Sequence, residues 1–237
     1  MKILVPCQQC CIEGNLDSFV DTTPQENNIC HFTCSQGHES TAYIEAFKFE
    51  LLFDSGLCAI RDKYYLESVL SLTAALERFY EFSTKLLLKT NGVSNDIYEK
   101  MFKNISNQSE RQPGAFICIY TSIYKECPIL LESNMIGFRN KVVHKGYLPT
   151  KDEVMKYANT VYDTIKPIYL KLRKDYQKII MEMITDECKK TAINQKTNNP
   201  IETIALPFSF STVSSLSSLE KESFLQCWSK VINTGFY

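Results

Sequence analysis

Glycine and proline are scarce in this chain, with eight of each among 237 residues. So few of these residues argue against a long disordered or low-complexity segment. No apolar run is long enough to cross a bilayer, and the first six residues are too few for the apolar part of a signal peptide. We therefore expect a cytoplasmic protein that does not enter a membrane and whose thiols stay reduced.

Several common catalytic signatures are also missing from the sequence. It contains no glycine-rich phosphate loop, no serine nucleophile elbow and no internal repeat. Nucleotide hydrolysis of the P-loop type and serine hydrolysis are therefore not expected. The chain does contain 44% hydrophobic and 12% aromatic residues, which is ample for a packed core.

The net charge is only -1, but it is unevenly distributed along the chain. Residues 1–54 contain two lysines and eight acidic residues, a net charge of -6. Residues 139–178 contain ten basic and four acidic residues, a net charge of +6. A polyanion is therefore expected to approach the second segment and not the first.

The clustered cysteines of the N-terminal segment predict a structural zinc site. Cys7 and Cys10 form a CxxC pair, and a second pair follows in a segment too small for a core of its own. That second pair is either Cys34 with His38 or Cys30 with Cys34. The segment from Cys30 to Cys34 is strand-like, so its two ends would stand roughly 13 Å apart. A glycine-containing turn brings His38 back beside Cys34, which favours the first alternative and leaves Cys30 as the substitute.

The remainder of the chain has helical periodicity. Pro167 is expected to kink or divide the longest helix, and a terminal helix should open at a Ser217–Glu220 capping box and contain Trp228. The architecture predicted is all-α: a helical bundle over residues 43–190, a small β and zinc cap over 1–42, and a polar connection with a terminal helix over 191–237. The predicted helices span 43–61, 64–89, 95–105, 112–126, 131–145 and 150–190.

A short helix carries the main candidate site. Asn140 and His144 are four residues apart and share one helical face, and the long side chain of Arg139 can swing to the same place. Gly146 suits the left-handed position after a helix end, and Pro149 prevents continuation. A permanent cation and a group that titrates near neutral pH are thus brought together.

These side chains suit cleavage of a phosphodiester. The imidazole of His144 can accept or donate a proton near neutral pH, and the guanidinium of Arg139 can hold two phosphate oxygens. Attack of an RNA 2′-hydroxyl on its own phosphate needs both groups and no metal. No cluster of carboxylates accompanies the motif in sequence, so no catalytic metal is expected, while Lys141 and Lys145 are candidates for binding the RNA backbone.

The segment 139–144, with the sequence RNKVVH, resembles the Arg-polar-x3-His signature of the HEPN superfamily of α-helical ribonucleases. Residues 49–53, FELLF, and 75–82, ALERFYEF, are similar to early helices of bacterial HEPN proteins headed by a zinc ribbon. The resemblance covers residues 43–190 for the bundle and, less specifically, 7–38 for the ribbon.

The resemblance implies a metal-independent RNA endonuclease that is active as a homodimer, with two signature helices forming one composite site. It implies that Arg139 binds the scissile phosphate, that His144 acts as general base or acid, and that Asn140 orients His144 or the phosphate. Glu77 corresponds to a polar position on an early helix and is a possible accessory residue. The products would carry a 2′,3′-cyclic phosphate. The family also implies a toxin or abortive-infection effector against phage, often silenced by a regulatory or antitoxin partner protein.

Two alternatives remain open at this stage. Many HEPN proteins have lost catalysis, so the chain is alternatively a non-catalytic adaptor or dimerisation module that binds a partner protein. Direct binding of nucleic acid by the N-terminal ribbon is disfavoured by the net charge of -6 over residues 1–54.

Overall fold

The computed structural model describes residues 1–105, 111–194 and 201–233, and within these ranges the chain is mostly helical with a small β region. The strands are β1 (Ile3–Pro6), β2 (Phe19–Thr22), β3 (Ile29–Thr33), β4 (Glu39–Ile44) and β5 (Ile201–Ile204). The helices are α1 (Gln8–Ile12), α2 (Lys48–Arg61), α3 (Tyr65–Thr90), α4 (Asn95–Ile105), α5 (Arg111–Tyr124), α6 (Ser133–Lys145), α7 (Lys151–Asn194), α8 (Leu216–Lys221) and α9 (Phe224–Asn233).

The N-terminal residues form two small sheets. Strands β1 and β2 pair antiparallel, with Ile3 opposite Thr22. Strands β3 and β4 form an antiparallel hairpin, and β5 joins β4 in parallel from the far end of the chain. A small apolar core lies beneath these strands, and it includes Ile3, Val5, Ile44 and Phe208.

The helical bundle is built on the long hairpin of α2 and α3. Apolar residues of α3 recur at steps of three and four and are buried, as the sequence pattern predicts. Gly56 lets the two helices approach closely, since a Cβ at this position would lie 2.6 Å from Cγ of Leu72. The ring of Phe49 lies 5.2 Å from those of Phe79 and Tyr169, so aromatic packing joins α2, α3 and α7.

The predicted start of the first helix is wrong. Tyr43 belongs to β4, where it pairs with Ile29 and Thr203, and helix α2 begins only at Lys48. The physical reason is that β4 is stabilised by pairing with β5, which is distant in the sequence. Local periodicity cannot reveal such a pairing. The backbone N–H of Phe47 donates to the Glu50 carboxylate at 3.2 Å, which closes the true start of the helix.

The long helix α7 does not kink where the sequence predicted. Pro167 lies inside α7 without dividing it, and the backbone departs from helical angles at Tyr176, with φ -132° and ψ 23°. The capping box that opens α7 is confirmed, since the Thr150 N–H donates to the Glu153 carboxylate at 2.8 Å and the Glu153 N–H donates back to Thr150 Oγ1 at 3.4 Å.

The C-terminal residues that the structure describes pack on the bundle. Phe210 stacks on Tyr162 at 5.1 Å in the main core. Trp228 is helical, but the one terminal helix predicted is divided into two, with the Ser217–Glu220 segment in α8 and Trp228 in α9. The predicted capping position is wrong, because Ser215 and not Ser217 caps α8 by accepting from the Ser218 N–H at 3.2 Å. Residues 195–200 and 234–237, which belong to the predicted C-terminal segment, lie outside the described ranges.

None of the helices formed by the described residues combines the length and the apolar character that crossing a membrane requires.

Candidate functional sites

Four predicted metal ligands come together in the N-terminal cap. The ligand atoms of Cys7, Cys10, Cys34 and His38 all lie within 4.8 Å of one another. Nδ1 of His38 is 3.3 Å from Sγ of Cys10, 3.5 Å from that of Cys34 and 3.7 Å from that of Cys7. A tetrahedral zinc with thiolate and imidazole ligands sets these edges at roughly 3.5–3.8 Å, so the donor set and its spacing are compatible with a structural zinc.

The local backbone explains how these ligands meet. Cys7 lies at the junction of β1 and α1, where its N–H donates to Ser18 O at 2.9 Å, and Cys10 follows within the short helix α1. Beyond β3, Gly37 adopts a φ of 85° and its N–H donates to Cys34 O at 2.9 Å. This tight turn returns His38 to Cys34, whereas Cys30 stays outside the cluster, buried in β3.

Two of the thiols have shifted pKa values in opposite directions. Burial opposes ionisation of Cys34, but backbone N–H groups of His38 and Gln36 outweigh it, and its pKa falls to about 6. A hydrogen bond from Ser18 lowers the pKa of Cys10, yet burial and the neighbouring thiols raise it to about 11. Loading the full donor set with a metal must therefore release at least one proton.

Sequence reasoning missed one residue beside this centre. A carboxylate oxygen of Glu13 lies 3.6 Å from Nε2 of His38, the ring nitrogen that faces away from the cluster. A carboxylate in this position favours the tautomer that leaves Nδ1 free to bind a metal. Its position three residues after Cys10 gives no recognisable sequence signal.

The second site lies on α6, which ends as the sequence predicts. Gly146 follows the last helical residue with φ 67° and ψ 23°, the left-handed geometry of a helix C-terminus. Val142 is buried, and the ring of Phe138 packs 5.6 Å from that of Tyr157, so α6 is fixed to α7. The Tyr147 hydroxyl donates to the Glu153 carboxylate at 2.9 Å, and this bond joins the turn after α6 to the first turn of α7.

Arg139 is held by two oxygen acceptors. Its Nη2 donates to Glu77 Oε1 on α3 at 2.9 Å, and its Nη1 donates to Asn140 Oδ1 at 2.9 Å. The side chains of Arg139 and Glu77 are 21% and 24% exposed, so the pair is half-buried at the edge of the bundle. A guanidinium has five N–H groups, and three of those of Arg139 have no partner among the residues that the structure describes, so they can bind another ligand.

His144 is placed differently. Its side chain is exposed near the end of α6, as are those of Lys141 and Lys145. Within the described part of the chain, the ring makes no hydrogen bond or ion pair. The structure thus brings Arg139, Asn140 and Glu77 into contact, but it does not join His144 to them within a single chain.

A groove that the sequence did not indicate opens beside Arg139. It encloses about 360 Å³ between α3, α5, the segment before α6, α6 itself and α7. Arg139, Asn140 and Glu77 lie on its lining together with a larger set of mostly apolar residues. These residues are Leu76, Tyr80, Pro113, Ile117, Leu130, Leu131, Ile136 and Tyr157, with Thr73.

We compared the chain with models of protein families, with curated proteins and with solved structures, and none of them matches it. The resemblance of residues 139–144 to the HEPN signature therefore stays a prediction.

Proposed function

We propose that the protein is a metal-independent RNA endonuclease of the HEPN type. The observation that carries the proposal is that the Arg139 guanidinium is fixed by hydrogen bonds to Glu77 of α3 and to Asn140 of α6. Helix α6 also presents the exposed His144. A cation that is fixed before the substrate arrives loses little conformational entropy on binding a phosphate.

In this mechanism the free N–H groups of Arg139 bind the oxygens of the scissile phosphate. His144 accepts the proton of the adjacent 2′-hydroxyl, the O2′–P bond forms, and the P–O5′ bond breaks. A protonated imidazole gives its proton to the departing 5′-oxygen. The products are a 2′,3′-cyclic phosphate and a 5′-hydroxyl, and no redox partner or metal takes part.

Two imidazoles serve this reaction better than one, because one accepts a proton while the other donates it. We propose that a second copy of the chain supplies the other His144 in a homodimer. The exposure of His144 and the lack of a bond to it within the described chain support this arrangement.

The charge distribution supports an RNA substrate. Lys141 and Lys145 are exposed on the same helix as Arg139, and the surrounding residues 139–178 have a net charge of +6. Such a surface attracts a polyanion and makes its binding sensitive to salt. The N-terminal cap, which contains most of residues 1–54 with their net charge of -6, is the less favourable surface for RNA.

We also propose that Cys7, Cys10, Cys34 and His38 bind one structural zinc ion. The ion would supply cohesion to the cap and no catalytic chemistry, since all three thiol ligands are buried. A growth-arresting or anti-phage role, with a regulatory partner protein, is the biological setting proposed for such a nuclease.

A second candidate function is a non-catalytic adaptor that binds a partner protein. The exposed apolar side chains of Leu130, Ile136 and Leu148 near α6 favour it, since apolar surface next to a half-buried ion pair suits protein contact. In this case Arg139 and Glu77 would act only as a tie between α3 and α6.

Incubation of the purified protein with total RNA tests the proposal. EDTA is added to remove magnesium, and the zinc content of the protein is measured afterwards so that loss of the cap is not mistaken for loss of catalysis. Cleavage should persist, should leave 2′,3′-cyclic phosphate ends, and should vanish in Arg139→Ala and His144→Ala.

Two control variants match these substitutions. Arg111→Ala and His31→Ala remove the same groups from exposed positions outside the proposed site, and both should retain cleavage. Activity that survives in Arg139→Ala or His144→Ala would contradict the proposal. A folded wild-type protein that cuts no RNA and does not arrest growth on induction would favour the adaptor.

A further inference from the structure

The groove beside Arg139 has the size of a small-molecule site. Its volume of about 360 Å³ is near the lower limit of the roughly 300–1,000 Å³ typical of small-molecule sites. It suits a single heterocycle better than a folded peptide segment.

The walls of the groove are apolar and accessible. Leu130 and Ile136 are 41% and 44% exposed, so this part of the apolar wall is open to solvent. Ile117 and Leu131 are partly buried and continue the apolar lining. Apolar side chains, like aromatic ones, can cover the faces of a nucleobase that is turned out of the strand.

The polar atoms of the groove include two acceptors. Thr73 Oγ1 gives its proton to Val69 O at 2.7 Å, so it can only accept from the Tyr157 hydroxyl 2.9 Å away and from a ligand. Glu77 is a carboxylate whose Oε1 accepts from Arg139, and it too offers only acceptors.

Asn140 adds a donor to the same lining. The Oδ1 atom of Asn140 accepts from Arg139, so the N–H groups of the same amide can donate to a different partner. The groove therefore offers acceptors for the exocyclic amino group of a base and an amide donor for a neighbouring acceptor on that base. Uracil offers one N–H and no amino group, so it matches less well.

We propose that this groove binds one nucleobase of the RNA, next to the phosphate held by Arg139, and that it favours a base with an amino group over uracil. The inference rests on the proposed ribonuclease function and adds a substrate preference to it. Arg139 and Glu77 lie on the same lining, so the position of the phosphate and that of the base are set by one ion pair.

Synthetic RNA strands with one mapped cleavage site test the proposal. Each nucleotide that flanks the scissile phosphate is replaced in turn by the four bases and by an abasic residue. At one of the two positions, an amino-bearing base should be cleaved about tenfold faster or more than uracil or the abasic residue.

Filling the groove should remove this preference. Ile117→Trp places a large ring in the groove, and Leu130→Trp does so from a more exposed position and is therefore the safer variant for folding. Both should bring the ratio of rates close to one while cleavage of the abasic strand persists. Ile119→Trp is the matched control, because Ile119 is a partly buried residue of α5 outside the groove, and it should keep the wild-type ratio.

The outcomes separate this inference from the function on which it rests. Absence of any cleavage by the wild-type protein would overturn both. Cleavage with equal rates for all bases and for the abasic strand would overturn the base pocket and leave the nuclease standing. A change of oligomeric state in the tryptophan variants, measured by sedimentation, with an unchanged base preference would assign the groove to contact between copies and overturn the inference.

Discussion

Glu77 Oε1 on α3 lies 2.9 Å from Nη2 of Arg139 on α6, and the same guanidinium donates to Asn140. The two helices are far apart in sequence, so the pair fixes where the arginine of the candidate site points. The two side chains are only 21% and 24% exposed, so loss of one partner should cost more than at an exposed pair, on the order of 1–2 kcal/mol. The pair also fixes the position of Arg139, and this is the effect expected on cleavage.

Glu77→Ala should lower RNA cleavage by about tenfold or more, because Arg139 would no longer be fixed in line with the phosphate. The unfolding free energy should fall by about 1–2 kcal/mol, which leaves the protein folded. Glu77→Gln, which keeps an acceptor oxygen, should recover part of the rate. Steady-state kinetics separate kcat from KM, and Glu67→Ala, an exposed residue of the same helix, is the control. Equal activity in Glu77→Ala and Glu67→Ala would show that Glu77 does not position the arginine.

The metal centre predicts about one zinc ion per chain in protein prepared without chelator. Cys10→Ser should abolish zinc binding and lower stability by about 3 kcal/mol or more, which is roughly 10 °C in Tm for a chain of this length. The reason is that a ligand bound only by the folded state stabilises that state. Elemental analysis and thermal unfolding measure the two effects.

Cys118→Ser is the control for this substitution, because Cys118 is an exposed thiol on α5 outside the cluster. It should keep both the zinc and the Tm of the wild type. A Cys10→Ser protein that still binds one zinc ion would contradict the assignment of the four ligands.

Local patterns were sufficient to predict much of this fold. The helical repeat of α3, the capping box at Thr150 and the glycine after α6 each depend on residues a few positions apart, and all three are found in the structure. The turn that favours His38 over Cys30 is likewise formed by neighbours in sequence, and Cys7, Cys10, Cys34 and His38 do come together.

The features that sequence reasoning missed depend on distant residues. Strand β4 is completed by β5, and the groove is formed by α3, α5 and α6, so neither has a local signature. The sequence predicted a kink in α7 at Pro167, but the backbone departs from helical angles at Tyr176. This difference is not explained by local sequence rules. The contact between Glu77 and Arg139 likewise joins two helices that are separate in the chain.

Gly56→Ala should destabilise the bundle by about 1–3 kcal/mol, because the added Cβ would meet Leu72 Cγ at 2.6 Å in a filled core. Gly114→Ala is a matched control in α5, where, among the described residues, no atom beyond the adjoining backbone of the helix lies within 4 Å of the new Cβ. That change should stabilise the protein by up to about 1 kcal/mol through higher helix propensity. Urea unfolding measures both, and equal effects would contradict the close approach of α2 and α3.

A buried carboxylate predicts how stability varies with pH. Glu50 is fully buried and accepts hydrogen bonds from the backbone of Phe47 and from the backbone and hydroxyl of Thr212. Burial raises its pKa to about 8, although these bonds and the charge of Arg173 act in the opposite direction. Between about pH 4.5 and pH 8, the folded state therefore holds a proton that the unfolded state has lost.

The sign of the effect follows from this difference. A folded state that binds more protons than the unfolded state loses stability as the pH rises, so the contribution of Glu50 should fall by about 2–4 kcal/mol between pH 5 and pH 8. Glu50→Gln cannot ionise and should show a flatter profile, while Glu99→Gln, an exposed residue of α4, should follow the wild type. Urea unfolding at each pH measures the three profiles. Parallel profiles for the wild type and Glu50→Gln would mean that Glu50 is already ionised in the folded protein at pH 5. The hydrogen bonds from Phe47 and Thr212 would then outweigh the cost of its burial.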